Sequence, residues 1–147
     1  MASFKREKKL EDFLQVGEPL VNTLAAKGVW KKLAANCSAI ECMVILKNEK
    51  SRKKLCVIVR GKGGEFANFT EALGEIVFLS DRVGPSDLMG VAFPALMRSI
   101  VVSHAKNMAH NWKRMAKLFR CSEIFFVSDD GSVEQMAWLD ALKAKHI

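Results

Sequence analysis

The chain has no tyrosine, only three prolines, and no C-x-x-C pair among its four cysteines. Its aromatic residues are nine phenylalanines and three tryptophans. They do not alternate with basic residues along any strand-like run, so the aromatic platform on which sheet-based RNA-binding modules stack bases is not written here. The few prolines leave no proline-rich linker, and no internal repeat or low-complexity segment is visible. Cys37 and Cys42 match the spacing of no standard zinc finger. Cys42 and Cys56 fall within apolar runs, where a thiol acts as a small hydrophobe. The cysteines therefore read as reduced thiols in a reducing compartment, with no metal and no cofactor. Long hydrophobic runs are also missing. Segments such as Ile124–Val127 fall far short of the roughly 18 apolar residues of a membrane span. The basic opening MASFKREKKLEDF has no apolar stretch behind it and does not read as a secretory signal. A cytoplasmic protein without a membrane span is expected.

What is present describes a globular chain. Half of the 147 residues are hydrophobic and 27% are charged. A chain of this length suits a single domain over residues 1–147 that buries about two thirds of its unfolded surface without needing a staple. The formal net charge is +7, and it is unevenly placed. Residues 1–62 carry 14 Lys/Arg against 6 Asp/Glu, whereas residues 63–147 carry 9 against 10. A basic first part points to a polyanionic partner more strongly than uniform basicity would.

Periodicity suggests an order of elements. A helix is expected over residues 5–15, with Phe4, Leu10, Phe13 and Leu14 on one face. A second follows Pro19, which suits a first helical turn, and runs to about Ala35, weakened at Gly28. AIECMVIL and KLCVIVR read as two strands apolar on both faces and joined by a short polar loop, hence an antiparallel hairpin. Residues 66–83 fit either helix or strand. A short helix capped by Ser86 is expected up to Phe93. A long amphipathic helix is expected over residues 95–120, with Met97, Ile100, Val101, His104, Met108, Trp112, Met115 and Phe119 on one stripe. SEIFFVSDD reads as a further strand, and residues 131–147 as a closing helix with Ser132 and Gln135 at capping-box spacing. The fold class is therefore α+β: a small, mainly antiparallel sheet, made of a central hairpin and one or two further strands, covered by helices.

Several groupings have residue types that could carry chemistry. Arg52, Lys53 and Lys54 precede the second hairpin strand, and Arg60 and Lys62 follow it. Lys106, His110, Lys113, Lys117 and Arg120 step along one face of the long helix, where they could follow a phosphate backbone. RGKGG resembles a phosphate-cradling loop only in having glycines beside charge; the P-loop pattern and G-x-G-x-x-G are both absent. A tight turn is its ordinary explanation. Asp129 and Asp130 end a strand as a magnesium pair would, although Asp, Gly and Ser in succession also spell a turn. His104 lies within an apolar stripe and has no carboxylate, serine or cysteine at a telling spacing. No catalytic signature emerges. The expected function is a non-enzymatic protein that contacts nucleic acid or an acidic protein through Arg52, Lys53, Lys54, Arg60, Lys62, Lys106, Lys113, Lys117 and Arg120. The alternative is an adaptor or chaperone-like subunit that self-associates or joins a hetero-complex through its Met- and Phe-rich helices. A small enzyme using His104, Asp129 or Asp130 is a third reading.

Overall fold

The computed structural model describes residues 10–37 and 42–145. The portion of the first expected helix over residues 5–9, the start of the first hairpin strand at residues 39–41, and the last two residues of the closing helix lie outside this range. Within it, six strands form one mixed sheet in chain order: β1 (Trp30–Cys37), β2 (Cys42–Asn48), β3 (Lys54–Val59), β4 (Leu88–Pro94), β5 (Cys121–Val127) and β6 (Val133–Ala137). The pairs β1–β2, β2–β3 and β5–β6 are antiparallel, while β3–β4 and β4–β5 are parallel. The helices are α1 (Glu18–Ala26), α2 (Glu65–Ser80), α3 (Arg98–Asn107) and α4 (Ala109–Leu118). The α+β class stands, but the expectation of a small, mainly antiparallel sheet does not. The sheet is larger, and its centre is parallel.

The parallel centre follows from the connections. Parallel neighbours need a crossover of a dozen or more residues, and α2 supplies one between β3 and β4. Helices α3 and α4 supply the other between β4 and β5. One hydrophobic core lies between the sheet and these helices, and includes Ile58, Phe69, Ile76, Phe93, Val101, Trp112, Ile124 and Trp138. The other face of the sheet packs on α1 and the π-helical turn Phe13–Gly17 before it, through Val16, Leu20, Leu24, Val44, Leu46, Val57 and Phe125. With both faces covered, the central strands are apolar throughout, as the hairpin strands suggested.

The differences from the expected elements have local causes. Helix α1 has Pro19 in its first turn and stops where Gly28 takes φ +75°, donating its N–H to the Ala25 carbonyl at 3.1 Å. A left-handed glycine after the last turn is a stop signal. WKKLAANC, read as helix, becomes β1 because β2 offers it a ladder, with a register shift between Lys32 and Ala34. LMGVAFP, read as a short helix, is the buried central strand β4, which lacks the alternation that marks a half-exposed strand. Gly90 suits a close approach there, since a Cβ would lie 3.1 Å from the Glu123 carbonyl oxygen of β5. The ambiguous segment is helix α2. The long helix is two helices, broken at Met108 (φ −116°, ψ 36°). The closing segment is β6 followed by a 3₁₀ turn, Trp138–Leu142. Its supposed cap, Ser132, instead donates its N–H and its hydroxyl to the Asp130 carboxylate in the β5–β6 turn.

Candidate anion-binding face

The β2–β3 hairpin is closed by the Asn48–Lys53 turn. The Asn48 carboxamide oxygen accepts the N–H groups of Lys50 and Ser51 at 2.9 and 3.0 Å, and Arg52 N–H reaches the Asn48 carbonyl at 2.8 Å. Arg52 itself adopts φ +63°, a conformation usually left to glycine or asparagine. Its side chain and those of Lys50 and Lys53 are exposed at the tip.

Behind the tip, strand register gathers cations that are far apart in sequence. Lys31 on β1 lies opposite Lys47 on β2, and Lys47 lies opposite Lys54 on β3. The three therefore form one row across the sheet, on the face that also carries Ile45 and Cys56. Residues directly opposite on neighbouring strands have Cβ atoms about 5 Å apart, where like charges repel and destabilise. Lys31 and Lys54 are exposed and Lys47 is half-buried. The acidic residues at this end include Asp87 and the exposed Glu49, whose N–H donates to the Val29 carbonyl at 2.8 Å. Burial, then Asp87, push the Cys56 thiol up to about 11, while Lys54 and Arg120 oppose the rise. Asp87 also accepts Gly84 N–H at 3.0 Å.

The other sequence candidates are distributed differently. Arg60 is buried: its Nε meets Asn68 Oδ1, its Nη1 meets Glu75 Oε1 and its Nη2 meets Glu71 Oε2, each at 2.5 Å. Lys62 pairs with Asp129 at 3.4 Å. The two basic clusters flanking β3 thus sit at opposite ends of that strand, and the second is answered by carboxylates. Arg120, at φ +55°, donates from Nε to the Asp87 carbonyl at 2.7 Å and from Nη2 to the Ser80 and Gly84 carbonyls at 3.3 Å. It fastens the α2–β4 loop to the start of β5. Lys106 donates to the Ala144 carbonyl. Lys113 and Lys117 are exposed on α4. The geometry therefore keeps Arg52, Lys53 and Lys54 together at one end of the sheet and adds Lys31 and Lys47, which the sequence reading missed. Lys31 fell in a segment read as helix, and only strand pairing sets it beside Lys47.

The candidates for catalysis are held structurally. His104 stacks on Phe69 (centroids 5.0 Å apart) and meets Phe66 edge-on (5.3 Å). Asp130 closes the β5–β6 turn, and the two hydrogen bonds from Ser132 hold its carboxyl below the usual range. Cys121 is pushed up to about 12, chiefly by burial. Among the described residues no group of three His, Cys, Asp or Glu side chains is arranged to hold a metal, and no helix is long and apolar enough to cross a membrane. Comparison with protein-family models, curated proteins and solved structures returns no match.

Proposed function

We propose that this protein binds a polyanion, nucleic acid or an acidic protein surface, through the lysine row Lys31–Lys47–Lys54 and the adjoining turn residues Arg52 and Lys53. The observation that carries the reading is the register of the row. Lysines on edge strands commonly serve to block unwanted strand pairing, and that explanation suffices for Lys31. It does not reach Lys47 and Lys54, whose strands are paired on both sides. Juxtaposed ammonium groups destabilise the isolated sheet, and a closely spaced row of phosphates or carboxylates relieves that repulsion. The row binds charge rather than base edges, so little sequence preference is expected.

Fluorescence anisotropy with short single- and double-stranded DNA and RNA tests this over a salt series. Log affinity should fall linearly with log salt, and each lysine reversed to glutamate should reduce the slope by roughly 0.7–0.9 while weakening all sequences alike. If K31E/K47E/K54E binds every nucleic acid and polyglutamate as tightly as the parent chain, the row is not the site.

A second reading, contact with another protein chain, is favoured by one observation. Val77 and Leu118 are exposed in an apolar groove between α2 and α4, lined also by Leu73, Met115 and Phe119, and the next residue of α2, Phe78, is exposed too.

A further inference from the structure

At the β6 edge of the molecule, away from the lysine row, a cleft of about 650 Å³ is lined by Lys106, Ala109, Lys113, Leu139, Leu142 and Lys143. Its size falls in the range that takes a small organic ligand. Its chemistry is divided. Ala109, Leu139 and Leu142 make an apolar floor, and the charged lining residues among those described are lysines. Lys106, Ala109 and Lys113 follow one another at i, i+3 and i+7, a spacing that keeps them on one side despite the break at Met108. Lys143 approaches from the other wall, just after the 3₁₀ turn.

The walls are held from beneath. Lys113 follows Trp112 and Leu139 follows Trp138. These two buried indoles stack with centroids 3.7 Å apart and an interplanar angle of 6°. Trp112 Nε1 donates to the Trp138 carbonyl at 2.7 Å, and Trp138 Nε1 donates to the Trp112 carbonyl at 2.9 Å. The reciprocal bonds tie α4 to the 3₁₀ turn at the point where the cleft opens. Lys106 is held in turn by the Ala144 carbonyl, and Arg98 grips the next carbonyl, that of Lys145, at 2.7 Å. A cleft with fixed walls loses less conformational entropy when a ligand enters.

We infer that this cleft binds a small amphipathic organic anion, an apolar body carrying one carboxylate, with the body on Leu139 and Leu142 and the head between Lys113 and Lys143. An apolar surface alone would take any hydrophobe; the lysines that line this one select those that carry negative charge. An acidic peptide helix fits less well, because such helices dock through a row of anchors at i, i+3, i+4 and i+7, whereas the apolar floor described here is Ala109, Leu139 and Leu142.

Decanoate, below its micellar concentration, is the probe, with decanol as its uncharged counterpart. Binding is followed on the whole chain by amide chemical-shift changes in two-dimensional nitrogen-15 spectra. Decanoate should perturb amides of residues 106–113 and 138–143 and bind at least tenfold more tightly than decanol. K113E/K143E alters exposed side chains only, so the fold should persist, and it should weaken decanoate at least tenfold while leaving decanol unchanged. Equal binding of the two ligands, shifts confined to the groove between α2 and α4, or an unchanged affinity in the double variant would each overturn the inference. Binding of an acidic amphipathic peptide in the cleft with no response to decanoate would overturn it as well.

Discussion

Arg60 is a residue whose sequence context and structural role diverge. It follows an apolar strand and precedes glycines, which suggested an exposed cation beside a loop. In the fold it is 8% exposed and held by Asn68, Glu71 and Glu75 along one side of α2. The i, i+3, i+7 spacing of those three residues gives the helix a polar stripe shaped to the guanidinium. Removing one member of a buried ion pair strands its partner, which costs far more than a surface pair is worth. Arg60→Met should therefore destabilise the protein by about 3 kcal/mol in urea unfolding. Glu71 is 62% exposed, so Glu71→Gln should cost less than about 1 kcal/mol. If the two losses were equal, Arg60 would not be the anchor of the cluster. The cysteines are the opposite case: Cys42, Cys56 and Cys121 are buried free thiols, as their apolar context suggested. Cys56 and Cys121, at about 11 and 12, hold too little thiolate at neutral pH to act as nucleophiles.

Among the elements, the β2–β3 hairpin is the one whose two roles conflict. Its strands were legible because β-branched, apolar residues bounded by polar turn residues admit few other structures. Its turn places Arg52 in the left-handed region, where a side chain costs about 1 kcal/mol relative to glycine. If the tip contacts a polyanion, that strain is retained for the charge it presents. Arg52→Gly should then stabilise the protein by about 0.5–1 kcal/mol and at the same time reduce the salt dependence of polyanion binding by roughly one phosphate contact. Thermal unfolding and anisotropy on the same preparation check both. A stabilised variant with undiminished binding would remove Arg52 from the face. The strands β1 and β4 were misread for opposite reasons. Strand β1 is rich in Lys, Leu and Ala, which favour helix when nothing pairs with them, and β4 is buried on both faces and so has no period to reveal it.

For the whole molecule, the question is which apolar surface remains uncovered. A three- or four-stranded sheet would have left the stripe of the long helix partly bare. The larger fold covers most of it: Met97, Val101, Trp112 and Met115 are buried, and Ile100, His104, Met108 and Phe119 are half-buried. Several large apolar side chains stay exposed among the described residues, Phe66, Leu96 and Leu139 among them, and Val77, Phe78 and Leu118 do so on α2 and α4. Arg82 sits over the Phe78 ring at 5.9 Å. Apolar groups exposed close together commonly mark a contact surface. Sedimentation velocity over a concentration series should show self-association that F78D/L118D abolishes. A constant monomeric sedimentation coefficient for the parent chain would count against contact with a second copy.

Composition and periodicity by themselves determined the class of this protein: α+β, with apolar hairpin strands, a helix begun at Pro19, and an amphipathic stripe through Met97, Trp112 and Met115. These features are local, set by residues within a few positions of one another, and local spacing is what a sequence displays. Only the tertiary structure decided that the sheet is parallel at its centre, because β3, β4 and β5 meet across long crossovers that no nearby residue encodes. The same holds for the sites. Arg60 and Arg120 looked like free cations until carboxylates and carbonyls brought from other elements answered them. Lys31, Lys47 and Lys54 became neighbours only through strand register, and the lysine-rimmed cleft exists only where the Trp112–Trp138 stack joins α4 to the end of the chain's last strand. Charge is written residue by residue, but whether it is neutralised depends on what folding places beside it.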